Sequence, residues 1–293
     1  MTTPSKIAIF GEVLFDCFPT GEKVLGGAPF NIAWHLQALG DSPTFISRVG
    51  TDELGKQIIN SALQWGLQAD NIQLDPAHPT GQVSITVEDD EPHYLITPDS
   101  AYDFIDKHLI QLPSPPDMLY HGTLALRNNT SRQTFEALAK SSGAPLFLDV
   151  NLRAPWWHKE EVEQWLARAT WVKLNIDELK TLGFSGKSIE SDMHSFQAEF
   201  NLEQVIVTRG AQGTIVLTRE NQFHQNTPGV LDNFVDTVGA GDAFTAVYIH
   251  GLMSNWSIEK TLAAAQQFAS QVIGIRGATS TDPAFYQRFI ETL

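Results

Sequence analysis

Cysteine is nearly missing: Cys17 is the one thiol in 293 residues. It cannot close an internal disulfide, and alone it cannot build a thiolate metal site. Positive charge is scarce too. Lys and Arg total 19 against 34 Asp and Glu, a formal net charge of −15. Such a chain is a poor electrostatic partner for nucleic acid or an anionic membrane surface. If it binds a phosphorylated ligand, the positive potential must be built locally. No window approaches 18 consecutive apolar residues, and Met1 to Lys6 lacks a charged-then-apolar leader. The expected location is therefore the cytoplasm. Nucleotide fingerprints are missing as well. Gly186-Lys187-Ser188 resembles the end of a phosphate-binding loop, but Thr181 stands where the glycine five residues earlier is required. No G-x-G-x-x-G occurs.

What is present is ordinary globular composition, 42% apolar and 18% charged, which excludes disorder and fibres. The length suits either two domains or one large α/β domain. From Met118 the pattern alternates: Met118–Thr123, Pro145–Val150, Trp171–Asn175 and Gln204–Thr208 read as buried strands. Helical stretches at Thr130–Ser141, Lys159–Ala169, Asp177–Leu182 and Ser188–Phe200 separate them. Alternation of this kind predicts an α/β fold, a doubly wound, mostly parallel sheet covered on both faces. Lys6–Val13 and Thr44–Val49 add strands, and Pro29–Leu39 a helix stopped by Gly40. Asp52 stands at the N-cap of a helix running to Trp65. Gly213–Arg219 is a further strand, and helices at Ala240–Met253, Ile258–Ile275 and Pro283–Thr292 close the chain.

Gly81–Thr97 differs. Val83, Ile85 and Val87 alternate with Ser84 and Thr86, an amphipathic β-hairpin. Its acidic tip, Glu88 to Pro92, reads as a solvated turn, with a metal site as the alternative. The hairpin reads as a small appendage on one α/β domain spanning 1–293. Pairing of two such hairpins would cover its apolar face, so a homodimer is expected.

Asp236-Thr237-Val238-Gly239-Ala240-Gly241-Asp242-Ala243-Phe244 is the most informative segment. Small residues let the backbone approach a ligand, and the free N–H groups and dipole of a helix start favour an anion. Asp242, in the first turn, is placed to accept a proton from an attacking hydroxyl, which is what phosphoryl transfer needs. A capped helix with an acidic first turn would look the same. The helix dipole is expected to hold the Asp242 carboxyl low.

The segment resembles the D-T-x-G-A-G-D-x-F signature of the ribokinase-like sugar kinases, the PfkB family. Gly26-Gly27-Ala28-Pro29-Phe30-Asn31, running on to Leu39-Gly40, resembles the family's N-terminal signature, about 200 residues earlier and in the expected order. The resemblance implies a doubly wound α/β core with a small β lid formed by segments near 12–26 and 80–103, and an ATP-dependent carbohydrate kinase with Mg²⁺ and, in many relatives, K⁺; a homodimer would then pair through the lids. Asp242 then corresponds to the catalytic base, and Gly239, Ala240 and Gly241 to the anion hole. Asp16, Gly27 and Asn31 match positions that hold sugar hydroxyls. Asn175-Ile176-Asp177-Glu178 matches N-x-x-E, in which Asn175 serves the nucleotide and Glu178 serves Mg²⁺ through water. Thr208, Gly210 and Gly213 match a nucleotide segment, with an ordinary turn as the alternative. Asp236 and the loop at 277–281 match the K⁺ region.

The sugar is expected to be fructose, phosphorylated at O6. Ala28-Pro29-Phe30 and His121-Gly122-Thr123-Leu124-Ala125-Leu126-Arg127 resemble fructokinases, whereas Asp149-Val150-Asn151-Leu152-Arg153 with a following tryptophan, Trp156 or Trp157, resembles a segment shared by fructokinases and 2-keto-3-deoxygluconate kinases. Alternation along that last strand would put Asp149, Asn151 and Arg153 on one side, with Arg153 on sugar or γ-phosphate, or in a surface salt bridge. From Pro76 to Leu126 the only cation is Lys107, so the lid offers little to a sugar acid. The alternatives are 2-keto-3-deoxygluconate, a nucleoside with its base near Tyr102 or Phe104, or a non-catalytic sugar binder.

Overall fold

The computed structural model describes residues 6–88, 91–227 and 235–293. Strands and helices follow in the order β1 (Ile7–Phe10), β2 (Leu14–Cys17), β3 (Lys23–Gly26), α1 (Ala28–Ala38), β4 (Thr44–Gly50), α2 (Glu53–Gln64), β5 (Ile72–Asp75), β6 (Gly81–Glu88) and β7 (Glu91–Ile96). Then come β8 (Met118–His121), α3 (Asn129–Ser142), β9 (Leu146–Asp149), α4 (Lys159–Leu166), β10 (Trp171–Asn175), α5 (Ile176–Thr181) and α6 (Ile189–Phe200). The chain ends with β11 (Gln204–Thr208), β12 (Thr214–Thr218), β13 (Phe223–Asn226), α7 (Ala240–Met253), α8 (Ile258–Val272) and α9 (Pro283–Ile290).

Nine strands form the main sheet in the order β13-β12-β11-β10-β9-β8-β1-β4-β5. All pairs from β11 to β5 are parallel, and β12 and β13 are added antiparallel. The two-residue period of a strand divides the core between the faces. Ile7 and Ile9 of β1 pack with α1, α2, α7, α8 and α9. Ala8 and Phe10 pack with α3, α4, α5 and α6. The sheet is therefore doubly wound, as the alternating pattern predicts.

A second sheet, β3-β2-β6-β7, forms the lid. Its inner face contributes Leu14, Val83 and Ile96 to a small cluster with Tyr102 and Leu124. The acidic tip between β6 and β7 falls partly outside the described residues. Asp52 caps α2 by accepting from Gly55 N–H at 2.9 Å. It also accepts from Thr80 N–H at 2.8 Å, which fixes the point where the chain enters β6.

Two sequence expectations change. Asn151 has φ 40°, so the strand ends at Asp149 and strand alternation does not carry Asn151 and Arg153 along with Asp149. The helix from Ile258 ends at Val272, before Gly274.

Candidate active site

Glu12, Asp149, Asn175 and Thr208 follow or end parallel strands, so they gather at the sheet's C-terminal edge, where open α/β sheets hold ligands. There a cleft of about 900 Å³ opens between the sheet edge, the lid and the start of α7. It is lined by Asp16, Gly27, Asn31, Arg153, Asn175, Glu178, Thr208, Asp236, Gly239, Gly241 and Asp242. All eleven were singled out by motif as sugar, nucleotide, metal or catalytic positions, and Asn31, near the other end of the chain from Asp242, meets it here.

Gly239 caps α7 with φ 79°, a left-handed turn that glycine makes without strain. A Cβ there would lie 2.3 Å from the Ala278 Cβ, so the turn is also pressed against the 277–281 loop. Ala240 N–H reaches Thr237 O at 3.3 Å, and the first helical bond runs from Ala243 N–H to Gly239 O at 2.8 Å. The first-turn N–H groups lack partners within the helix, so the helix start presents donors to the cleft. Ala240 itself does not line the cleft.

Asp242 Oδ2 accepts from Asn31 Nδ2 at 2.8 Å. Burial raises the carboxyl above the ordinary 3.8, and Asp149 adds to this, while Asn31, Lys173 and Arg153 oppose it. Burial thus acts against the lowering expected from the helix start. A raised carboxyl is a stronger proton acceptor once ionised, which suits a base.

Asp16, on β2 of the lid, faces the same cleft; burial pushes its carboxyl to about 6, with Arg153 opposing. Gly27 has φ 103°, and a Cβ there would approach Glu12 O within 2.8 Å. Arg153 is exposed, forms no ion pair among the described residues, and donates only to Leu152 O at 3.4 Å.

The N-x-x-E segment is a capping box. Asn175 Oδ1 accepts from the N–H groups of Asp177 and Glu178, and Glu178 Oε2 accepts from Asn175 N–H at 2.8 Å. Glu178 Oε1 accepts from Leu152 N–H at 2.8 Å. Both oxygens are thus tied to backbone, and the residue fits Mg²⁺ only through intervening water. Asp236 Oδ1 accepts from Val238 N–H at 3.0 Å, and Asp236 and Gly277 both line the cleft. Thr208 reaches the cleft. Gly210 and Gly213 do not line it: they shape the β11–β12 turn, in which Gly213 N–H bonds to Gly210 O at 3.0 Å.

Sequence reasoning missed Glu12, Lys173 and Thr245. Glu12 is 3% exposed and lines the cleft, with Oε2 unpartnered. Burial pushes its carboxyl to about 7. Lys173 pairs with Asp149 beneath α7, and Thr245 bonds to the same carboxylate. A lysine inside the otherwise apolar β10 was the available signal. Other segments prove structural. Arg127 is bonded twice to Asp103 and stacks on Trp156 at 4.3 Å. Arg132 pairs with Glu161. Tyr102 is fully buried and Phe104 stacks on His78, so neither lines the cleft. Ser188 caps α6, which accounts for Gly186-Lys187-Ser188.

A doubly wound sheet with a β lid, an anion-receptive helix start and an aimed carboxylate defines a small-molecule kinase. The pfkB family carbohydrate kinase pattern matches residues 6–284. The chain belongs to that family. It is 28% identical to the fructokinase of Salmonella typhimurium over 97% of both chains. It is 29% identical to a probable fructokinase-7 of Arabidopsis thaliana, covering 95% of this chain and 90% of the relative. Among solved structures, Vibrio cholerae O395 fructokinase with fructose, ADP and calcium superposes with a TM-score of 0.82 at 25% identity, covering 97% of this chain and 98% of that one. A double mutant of that enzyme, with fructose, ADP and potassium, gives 0.83 at 26% identity, covering 98% and 99%.

Proposed function

We propose that this carbohydrate kinase transfers the γ-phosphate of ATP to O6 of fructose. The observation that carries the reading is Asp242 in the first turn of α7, aimed by Asn31 and facing Asp16 of the lid across one cleft. In the reaction, Asp242 takes the proton of the sugar hydroxyl. The oxygen attacks the γ-phosphorus, the bond to the β-phosphate oxygen breaks, and ADP leaves. The backbone at Gly239 to Gly241 receives the phosphate charge. Asp16, Gly27 and Asn31 hold the sugar hydroxyls, and Arg153 stands beside them. Asn175 and Thr208 serve the nucleotide side, with Gly210 and Gly213 shaping the turn behind it. Mg²⁺, held through water near Glu178, would neutralise phosphate charge when bound. Asp236 and the 277–281 loop form the region for K⁺. Closure of the lid excludes water and limits hydrolysis of ATP.

The sugar assignment rests on the named relatives and on the charges at the sugar end. Glu12 and Asp16 suit a neutral polyol, and Lys107 is an exposed residue outside the cleft. The second reading, 2-keto-3-deoxygluconate, is favoured by Arg153, a cleft cation with no ion partner. A single chain-length domain working in the cytoplasm completes the picture. Leu95 on β7 is 68% exposed on the face turned away from the cleft, and pairing of two lids in a homodimer would cover it. Light scattering tests that: a dimer is expected, and a monomer at working concentration contradicts it. For the activity, ADP release is measured with Mg-ATP and fructose, 2-keto-3-deoxygluconate, ribose, glucose or adenosine. Fructose is expected to lead. A different leading sugar overturns the assignment of the sugar, and no sugar-dependent release overturns the kinase reading.

A further inference from the structure

One buried charge pair beside the cleft has no part in the scheme above. β9 and β10 run side by side in parallel, with Asp149 opposite Lys173. Phe147 packs on the α7 side of the sheet, and so does Trp171. The two-residue period then puts Asp149 and Lys173 on that side as well, where the strands end. Lys173 Nζ donates to the two Asp149 oxygens at 3.1 and 2.9 Å. The Thr245 hydroxyl is shared between Asp149 Oδ2 at 3.1 Å and Gly241 O at 2.8 Å. A Cβ placed on Gly241 would lie 3.3 Å from Lys173 Nζ. The ammonium is thus packed directly against the backbone that receives phosphate.

Asp149 is 1% and Lys173 9% exposed. A buried ion pair is a poor device for holding a fold together, because desolvation offsets most of its attraction. A fixed cation is, however, what this chain lacks where phosphate binds. Lys173, Arg153 and Arg276 are the cations lining the cleft. Arg153 is exposed, and Arg276 is engaged by Glu22 of the lid.

We propose that Lys173 is a positioning residue for phosphoryl transfer: held by Asp149, its ammonium backs the first turn of α7, strengthens its grip on phosphate and keeps the neighbouring Asp242 ionised. The proposal rests on the reading of Asp242 as base and of the α7 start as phosphate site. The charges facing Asp242 come from every element around it. Asn31 of α1 donates to it. Lys173 of β10 and Arg153 after β9 favour its ionised form, whereas Asp149 of β9 opposes it. Glu12 and Asp16, flanking the start of β2, add negative charge from the lid side. Lys173 itself stays charged: burial works against it, but Asp149 and Glu178 more than compensate.

Lys173→Met and Asp149→Asn both break the pair, yet they change the local charge in opposite directions. The test uses two readouts: ADP affinity by calorimetry, and the pH at which kcat/KM for the sugar falls on the acid side. Lys173→Met should weaken ADP about tenfold and move the acid limb to higher pH. Lys173→Arg should hold ADP affinity within about threefold of wild type. Asp149→Asn, which leaves the ammonium in place, should move the acid limb to lower pH with ADP binding no weaker. If Asp149→Asn moves the limb upward, or weakens ADP as much as Lys173→Met does, the pair is only structural and the proposal falls. Should Lys173→Met fail to fold, the direction shown by Asp149→Asn decides alone. Asp242→Asn in the same assay separates the two readings. Near-normal turnover there fells the base assignment. An inactive Asp242→Asn with parallel shifts in the pair variants fells only the role of Lys173.

Discussion

Asn31 joins two ends of the chain at one oxygen. Its amide holds Asp242 Oδ2 at 2.8 Å, while its own Oδ1 is buried without a partner. Asn31→Ala should lower kcat roughly 100-fold, because a misaimed base loses the near-attack geometry. It should also move the acid limb upward, since a donor that favours the carboxylate is gone; a pH–rate profile checks both. Glu12 makes a prediction about stability. Burial raises its carboxyl from the ordinary 4.5 to about 7. The folded state therefore holds the proton more tightly than the unfolded one. That contribution is full below 4.5 and is lost as pH rises through 7. Glu12→Gln removes the cost and should raise Tm at pH 8, by up to about 3 kcal/mol of stability, with little change at pH 4. Thermal melts across that range check it, and an equal gain at both ends would contradict it. Glu12 carried no signal in the sequence and Lys173 only its place inside an apolar strand, because their roles depend on burial and on which strands become neighbours.

At the scale of elements, the turn into α7 is the most constrained piece. Gly239 combines a left-handed φ with a Cβ position that overlaps Ala278. Gly239→Ala should cost about 1–3 kcal/mol in backbone strain, with the overlap added. It should weaken ADP binding as the donors move; a melt and a calorimetric titration read the two effects. Long elements with strong periodicity were legible in the sequence. Trp171–Asn175, Gln204–Thr208 and Ala240–Met253 match the expected bounds. Phe223–Asn226 was not legible, because an edge strand reading Phe-His-Gln-Asn has no apolar alternation to betray it. Ile72–Asp75 is four residues on the other edge, too short for a pattern. In the D-x-N-x-R segment the strand stops at Asp149 because Asn151 adopts φ 40°, which asparagine tolerates and a strand does not, yet Asp149, Asn151 and Arg153 all line the cleft.

For the whole molecule, the cleft solves the problem set by a charge of −15. Positive potential is assembled locally from a helix start, Lys173 and Arg153, while the lid adds Asp16 to the same cleft. Most of the cleft was legible from two signatures because each occupies a turn that only small residues permit: Gly27 over Glu12, and Gly239 over Ala278. Gly210 and Gly213 were read from a motif whose turn lies behind the cleft. The central claim is that Asp242 takes the proton while the α7 start holds phosphate. The most direct measurement is sugar-dependent ADP release by Asp242→Asn beside wild type, with ATP affinity measured on both. The account predicts a loss of kcat of about 1,000-fold or more with ATP affinity kept within a few-fold. Turnover near the wild-type rate would contradict it.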